Sequence, residues 1–323
     1  LLLDVENLNV TFPSEDGDVM AVRGVSYQVR RNEVFGIVGE SGSGKSVSQM
    51  ALMGLLPKTA RIEGRAQYLG SDLLGVPDRE VRHHRGNDIS MIFQDPMTSL
   101  NPVYTIGYQL GEIIRAHHRV SPKEAKMRAI DALQLVGIPQ PKQRADAYPH
   151  EFSGGMRQRV MIAMAMMNDP DIIIADEPTT ALDVTVQAQV LETLMSVKEE
   201  LGAAIILITH DLGVVAGMCD RVIVMYAGRI VEEGPTRDLY ADPTHPYTRA
   251  LLESVPRLDE SGHTRLQSIE GLPPRLDRGP FAACTFAPRC ALADGDCRAA
   301  EPPLEVFAPG RARRCVRPPE DVR

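Results

Sequence analysis

Residues 39–46 read Gly-Glu-Ser-Gly-Ser-Gly-Lys-Ser, a complete match to the pattern Gly-x-x-x-x-Gly-Lys-Ser/Thr. Such a loop suits phosphate chemistry. Gly39, Gly42 and Gly44 remove Cβ atoms, so the backbone N–H groups of the loop, those of Ser41 and Ser43 included, can wrap phosphate oxygens. The N-terminus of a following helix adds partial positive charge. Lys45 can reach β- and γ-phosphate oxygens, and the Ser46 hydroxyl can ligate Mg²⁺. A second stretch, Ile172-Ile173-Ile174-Ala175-Asp176-Glu177, delivers two carboxylates at the end of an apolar run. There Asp176 would hold Mg²⁺ through water, and Glu177 would orient and polarise an attacking water. Gln94 and His210 also end apolar runs: Gln94 could contact Mg²⁺ or the lytic water, His210 the γ-phosphate. Finally, Phe152-Ser153-Gly154-Gly155-Met156-Arg157-Gln158-Arg159 contains a Ser-Gly-Gly turn opening a helix, a second anion cradle. One nucleotide needs one loop of the Gly39–Ser46 kind. The second cradle is therefore expected to face another nucleotide, in a dimer that sandwiches each ATP between subunits.

These groups need strands that end where the loops begin. Leu3, Val5, Leu8, Val10 and Phe12 alternate as a strand over 3–12, with Val19–Val29 as its antiparallel partner. Glu33–Gly39 reads as a strand feeding the loop, followed by a helix from Lys45 to Leu56 that Pro57 stops. A hairpin is expected over 60–75, strands at Asp88–Phe93, Ile172–Ala175, Ala204–Ile208 and Arg221–Tyr226, and a helix at Thr185–Leu201. Residues 102–168 are helical in pattern, with breaks at Gly107, Pro122, Gly137–Pro141 and Pro149. Strands alternating with helices imply a parallel α/β sheet, and the helical block an inserted subdomain.

Composition narrows the function class. With 323 residues, about two domains are expected. Lys+Arg is 35 against 43 for Asp+Glu, a formal net charge of -8, which argues against a general nucleic-acid binder. No apolar run approaches the roughly 20 residues of a membrane helix. Leu1-Leu2-Leu3-Asp4 lacks the basic region of a signal peptide and an initiating Met, so a soluble, cytoplasmic and trimmed chain is expected. His83-His84 and His117-His118 are adjacent pairs, which do not face one site on a helix.

In chain order the motifs resemble the ATPase subunits of ABC transporters: phosphate loop at Gly39–Ser46, Q-loop at Gln94, signature at Ser153–Gln158, acidic strand at Asp176–Glu177, D-loop at Ala181-Leu182-Asp183, switch at His210. The resemblance implies an α/β P-loop fold of ABC type, with an antiparallel β subdomain and an inserted helical subdomain. It implies an ATPase domain over 1–240 (core 1–101 and 160–240, helical part about 102–159) and an irregular cysteine-rich extension over 241–323. It further implies ATP and Mg²⁺, with Phe12 stacking on adenine and Ser153, Gly154, Gly155, Gln158 and Asp183 at the nucleotide. Phe152 and Met156 depart from the general Leu-Ser-Gly-Gly-Gln signature as in ATPases of bacterial oligopeptide/dipeptide importers. Gln94-Asp95-Pro96-Met97-Thr98-Ser99-Leu100-Asn101-Pro102 and His245-Pro246-Tyr247-Thr248 match that group too. The implied partners are a second, homologous ATPase, two transmembrane permeases and an external substrate-binding protein, with the chain peripheral on the cytoplasmic face of the inner membrane. Nickel import by a related transporter is the alternative cargo. A non-transport ABC ATPase would be expected to carry tandem domains or basic arms, and a redox module with a vestigial ATPase would have lost motifs that are intact here.

Twelve of the 24 prolines lie between Pro243 and Pro319, marking a boundary near residue 241. Four of the five cysteines follow it, spaced Cys284-x5-Cys290-x6-Cys297-x17-Cys315. No Cys-x2–4-Cys zinc knuckle is present, whereas a [4Fe–4S] cluster needs four thiolates and tolerates varied spacing. Similar relatives carry such a cluster in this extension. Arg311, Arg313, Arg314 and Arg317 are expected to offset its negative charge. Zinc, free thiols and disulfides stay open at this level, and Cys219 reads as a small buried hydrophobe.

Overall fold

Between Val5 and Leu8 the apolar positions of the first strand skip one residue more than strict alternation allows, yet Leu3, Val5, Leu8 and Val10 are all buried. The strand Leu3–Phe12 absorbs the extra residue in a bulge. Asn7 is left-handed (φ 49°), and the antiparallel register with Arg61–Tyr68 shifts between Glu6 and Asn9. With Val19–Val29 and Ser71–Asp72 these strands form one sheet, in the order Val19–Val29, Leu3–Phe12, Arg61–Tyr68, Ser71–Asp72.

The computed structural model describes residues 1–15, 17–180, 182–254, 269–277 and 281–322. The chain divides into two units: Leu1–Leu2, Val29–Glu33 and Val76–Ile208 form one, and Leu3–Gln28, Val34–Gly75 and Thr209–Arg323 the other.

The second unit contains, besides the sheet above, the strand Val34–Val38, buried throughout and parallel to Arg221–Tyr226. A two-residue turn at Ala227 (φ 48°) and Gly228 (φ 78°) returns the chain antiparallel as Arg229–Pro235. Two short strands of the tail, Arg311–Arg313 and Glu305–Ala308, extend this order; the proline-rich composition concealed them. The helix after the phosphate loop ends at Leu52, before the expected Leu56. Gly54 (φ 59°) stops it, with its N–H donating to Ala51 O (3.1 Å) and the Leu55 N–H to Met50 O (2.9 Å). Pro57 is not the stop.

In the first unit Ile172–Asp176 pairs in parallel with both Ile89–Ile92 and Ala204–Thr209. The helices Ile106–His117, Pro122–Leu135 and Gly154–Met166 pack on one another. Pro122 and Gly137 bound the middle one as expected: the Ser121 hydroxyl caps its start and Gly137 (φ 72°) its end. Gly107 is not a break. It lies in the first turn of Ile106–His117, where a Cβ would stand 2.7 Å from Ala145 O, so its role is close backbone approach. Val184–Leu201 buries Val190, Leu194 and Val197, one helical face.

Where the tail begins, the buried Glu232 carboxylate accepts from Thr244 N–H (2.8 Å), Thr244 Oγ1 (2.8 Å) and His245 N–H (3.0 Å). His245 is 1% exposed, and its Nδ1 accepts the Tyr247 N–H. Burial pushes its pKa down to about 3 from 6.5. The unfolded chain therefore takes up a proton that the folded state refuses. This contribution is complete above pH 6.5 and is lost as pH falls towards 3, by roughly 2 kcal/mol between pH 6.5 and 5. His245→Asn keeps an acceptor for Tyr247 and removes the titrating ring. We expect its Tm to fall less steeply than that of the wild type over this range, as read by thermal unfolding at several pH values.

Candidate active site

The phosphate loop is shaped by crowding. At Gly39 (φ 151°) a Cβ would lie 2.1 Å from Met225 O, and at Gly44 (φ 97°) 2.4 Å from Ala21 O. Gly42 (φ 77°) has open space and is required only by its left-handed backbone. The loop enters the helix Lys45–Leu52 through Gly44. Lys45 is 5% exposed, and its ammonium donates to Gly39 O (2.7 Å) and Glu40 O (3.0 Å). Ser43 Oγ is buried with no hydrogen-bond partner among the described residues. Ser41 is exposed and Ser46 half-buried in the helix's first turn. A buried ammonium, an orphaned hydroxyl and a backbone too close for side chains together fit a phosphate group. Phe12 ends its strand half-buried, and His210 is exposed, directly after Ala204–Thr209.

In the first unit, Asp176 is buried at the end of Ile172–Asp176. The next residue, Glu177, is left-handed (φ 47°), a costly state for a side-chain-bearing residue, and its N–H donates to Ile208 O at 2.9 Å. Its Oε2 accepts from Gln94 Nε2 at 3.0 Å and from Thr180 Oγ1 at 2.8 Å. Two donors thus aim the carboxylate, which can polarise a water held against it. Gln94 and Glu177, expected from the sequence, meet; Thr180, whose N–H closes a turn onto Glu177 O, was missed. Ser153 caps Gly154–Met166, and Ser153 and Gly154 are exposed at its start. A Cβ at Gly155 would lie 2.4 Å from Val186 Cγ1. Gln158, by contrast, faces inward at 2% exposure, with Nε2 unpartnered among the described residues. Arg157 joins this helix to the segment after Gln94, donating to Met97 Sδ at 2.8 Å and to Pro149 O at 2.8 Å. Asp183 caps Val184–Leu201, and Ala181 lies outside the described residues.

In the tail the four expected cysteines lie near one another. Cys284 N–H donates to Cys297 O at 3.0 Å, and the thiols of Cys284, Cys290 and Cys315 interact electrostatically. All four cysteines are free thiols. Among the described residues, however, no three His, Cys, Asp or Glu side chains are grouped to hold a metal ion. Burial raises the pKa of Cys284 and Cys290, and pushes Cys315 up to about 11. Arg311 bonds to Asp242, Arg313 to the Thr244 and Arg317 carbonyls, Arg314 to the Ile230 and Pro302 carbonyls, and Arg317 to Asp294 and Asp321. Arg313 also interacts electrostatically with Cys315, Arg314 with Cys284 and Arg317 with Cys290. Cys219 is buried, as expected.

A family model described as ABC transporter matches residues 22–180, and one described as oligopeptide/dipeptide transporter, C-terminal region, matches residues 231–297. The chain is 53% identical over 322 residues to the oligopeptide transport ATP-binding protein OppD of Salmonella typhimurium, covering 100% of this chain and 95% of that protein. The chain belongs to the ABC transporter ATPases of the oligopeptide/dipeptide group. The dipeptide transport ATP-binding protein DppD of Bacillus subtilis is 54% identical over 291 residues, covering 90% of this chain and 86% of that one. A dimeric ATP-binding cassette, MJ0796, in a post-hydrolysis state bound to ADP and Pi, matches with TM-score 0.65 and 28% identity over 73% of this chain and 99% of its own. The fold is accordingly that of an ABC ATPase, and the chain is an ATPase. No helix among the described residues is long and apolar enough to cross a membrane.

Gly39→Ala would place a methyl group against Met225 O at a φ that L residues avoid. We expect it to cost about 2 kcal/mol of stability and to abolish nucleotide-induced thermal stabilisation, whereas Ser41→Ala at the exposed neighbouring position changes stability little. Thermal melts with and without nucleotide read both.

Proposed function

We propose that this ABC ATPase powers import of dipeptides or oligopeptides. ATP binding closes a dimer of ATPase subunits, hydrolysis reopens it, and the attached permeases change their facing. The observation that carries the peptide cargo is full-length identity of 53% to a protein named for oligopeptide transport, supported by the match of residues 231–297. The partners proposed are a homologous second ATPase, two transmembrane permeases and an external binding protein, with the chain on the cytoplasmic face of the membrane. The ATPase part is assigned to 1–240 and the extension to 241–323.

In this reading the Gly39–Ser46 backbone and Lys45 bind the phosphates, and Phe12 stacks on adenine. Ser46, Gln94 and Asp176 would hold Mg²⁺, which supplies neutralisation of phosphate charge when bound. Glu177, aimed by Gln94 and Thr180, accepts a proton from the attacking water, and His210 contacts the γ-phosphate. Ser153, Gly154, Gly155 and Asp183 face the nucleotide of the mate subunit. A [4Fe–4S] cluster on Cys284, Cys290, Cys297 and Cys315 is supported by sequence spacing and by resemblance to relatives, and iron and acid-labile sulfide analysis of anaerobically purified protein decides it. About four of each per chain would assign the cluster, and none leaves free thiols.

In the assembled transporter, Glu177→Gln is expected to keep ATP binding and to lower turnover by about 10²–10³-fold. Thr180→Val, which removes one aiming donor, should lower kcat about tenfold. Turnover of Glu177→Gln equal to that of the wild type would remove Glu177 from the mechanism. Ser153→Arg should bind ATP yet lose turnover; retained turnover would count against the sandwich dimer.

A further inference from the structure

The second residue of the phosphate loop is held from outside, and both groups that hold it come from beyond residue 240. Arg289 grips the Glu40 carboxylate with two bonds, Nη1 to Oε2 at 2.7 Å and Nη2 to Oε1 at 2.9 Å. The same guanidinium donates to the carbonyls of Ile269 (3.2 Å) and Glu270 (3.0 Å) and to the Tyr226 hydroxyl (3.3 Å). The Arg289 side chain is 4% exposed and that of Glu40 27%, so water and salt weaken this pair less than a surface pair. The backbone N–H of Glu40 donates to the Tyr247 hydroxyl at 2.8 Å. Tyr247 is fully buried, its ring against those of Tyr226 and Phe286.

The charge balance gives this grip a purpose. Glu40 places a carboxylate within a loop whose other features attract anions. Unpaired, it would oppose a polyphosphate; captured by a planar fork, it is neutralised and turned to one side. Lys45 also donates to the Glu40 carbonyl, so displacing Glu40 would disturb the ammonium meant for phosphate.

We propose that Arg289 and Tyr247 are positioning residues of the phosphate loop, through which the chain beyond residue 240 sets nucleotide affinity. The inference rests on Gly39–Ser46 being the nucleotide loop. By reciprocity, nucleotide bound in the loop stabilises the segment around Arg289.

The test uses the assembled transporter. Arg289→Ala is expected to raise KM for ATP about tenfold with a much smaller change in kcat. Arg289→Lys, which keeps the charge and loses the fork, should recover part of the loss, and Tyr247→Phe should raise KM about threefold. The double variant Glu40→Gln/Arg289→Ala should recover most of the affinity, because the carboxylate that needed neutralising is gone; a purely structural role for Arg289 predicts no such recovery. In hydrogen exchange, ATP should protect residues 284–297 in the wild type and not in Arg289→Ala. An unchanged KM in Arg289→Ala, or a double variant as impaired as the single one, would overturn the proposal. If Arg289→Ala does not assemble, Arg289→Lys and the double variant carry the same comparison, and wild-type KM in Arg289→Lys together with no protection of 284–297 by ATP in the wild type overturns it. A wild type that binds no ATP would instead overturn the nucleotide-loop reading itself.

Discussion

The absence of room beside Gly39 and Gly44 is the constraint on which the second unit depends. Met225 O and Ala21 O stand where their Cβ atoms would be. That closeness lets loop N–H groups converge without side chains between them, and it requires neighbouring backbone to be delivered accurately. The tight turn at Ala227–Gly228 does part of this, its Gly228 N–H donating to Ser43 O at 3.0 Å. Parallel pairing of Val34–Val38 with Arg221–Tyr226 does the rest, by fixing where the strand before the loop ends.

The first unit solves a different problem, aiming a carboxylate. Glu177 is held left-handed at a cost of about 1–3 kcal/mol. The buried strand before it and the bond from its N–H to Ile208 O offset that cost. The strained backbone turns the side chain to where Gln94 and Thr180 both donate to one oxygen. Stability spent on the backbone thus appears as direction in the carboxylate, which a water-activating group needs.

The tail is held by charge and backbone pairing. Its strands join Arg229–Pro235, its start hangs from the buried Glu232, and its arginines are spent on carbonyl oxygens and acids. Four clustered thiols invited a metal-centred explanation, and the arginines flanking Cys315 invited a role in balancing a cluster. In the folded chain those arginines bond to backbone carbonyls and acids, and Arg313, Arg314 and Arg317 also interact electrostatically with the thiols.

What the sequence determined by itself was local. Glycine spacing in 39–46, apolar runs ending in Gln94, Asp176 and Glu177, the Ser153 cap and the strand pattern of 3–12 each follow from conformational limits within a few residues, and they sufficed for the fold class and most of the site. Its errors were local rules overridden by distant neighbours: Gly107 read as a break because Ala145 was invisible to it, and the helix end was given to Pro57 when Gly54 had already closed it. Gln158, one turn into the signature helix, was placed at the nucleotide by pattern, and packing turned it inward. Only tertiary structure decided that Arg289 meets Glu40 across 249 residues, or that Glu232 seats Thr244 and His245. Such pairs arise when separate segments close on one another, and a single sequence carries no periodicity, spacing or backbone restriction that records which distant side chains will meet.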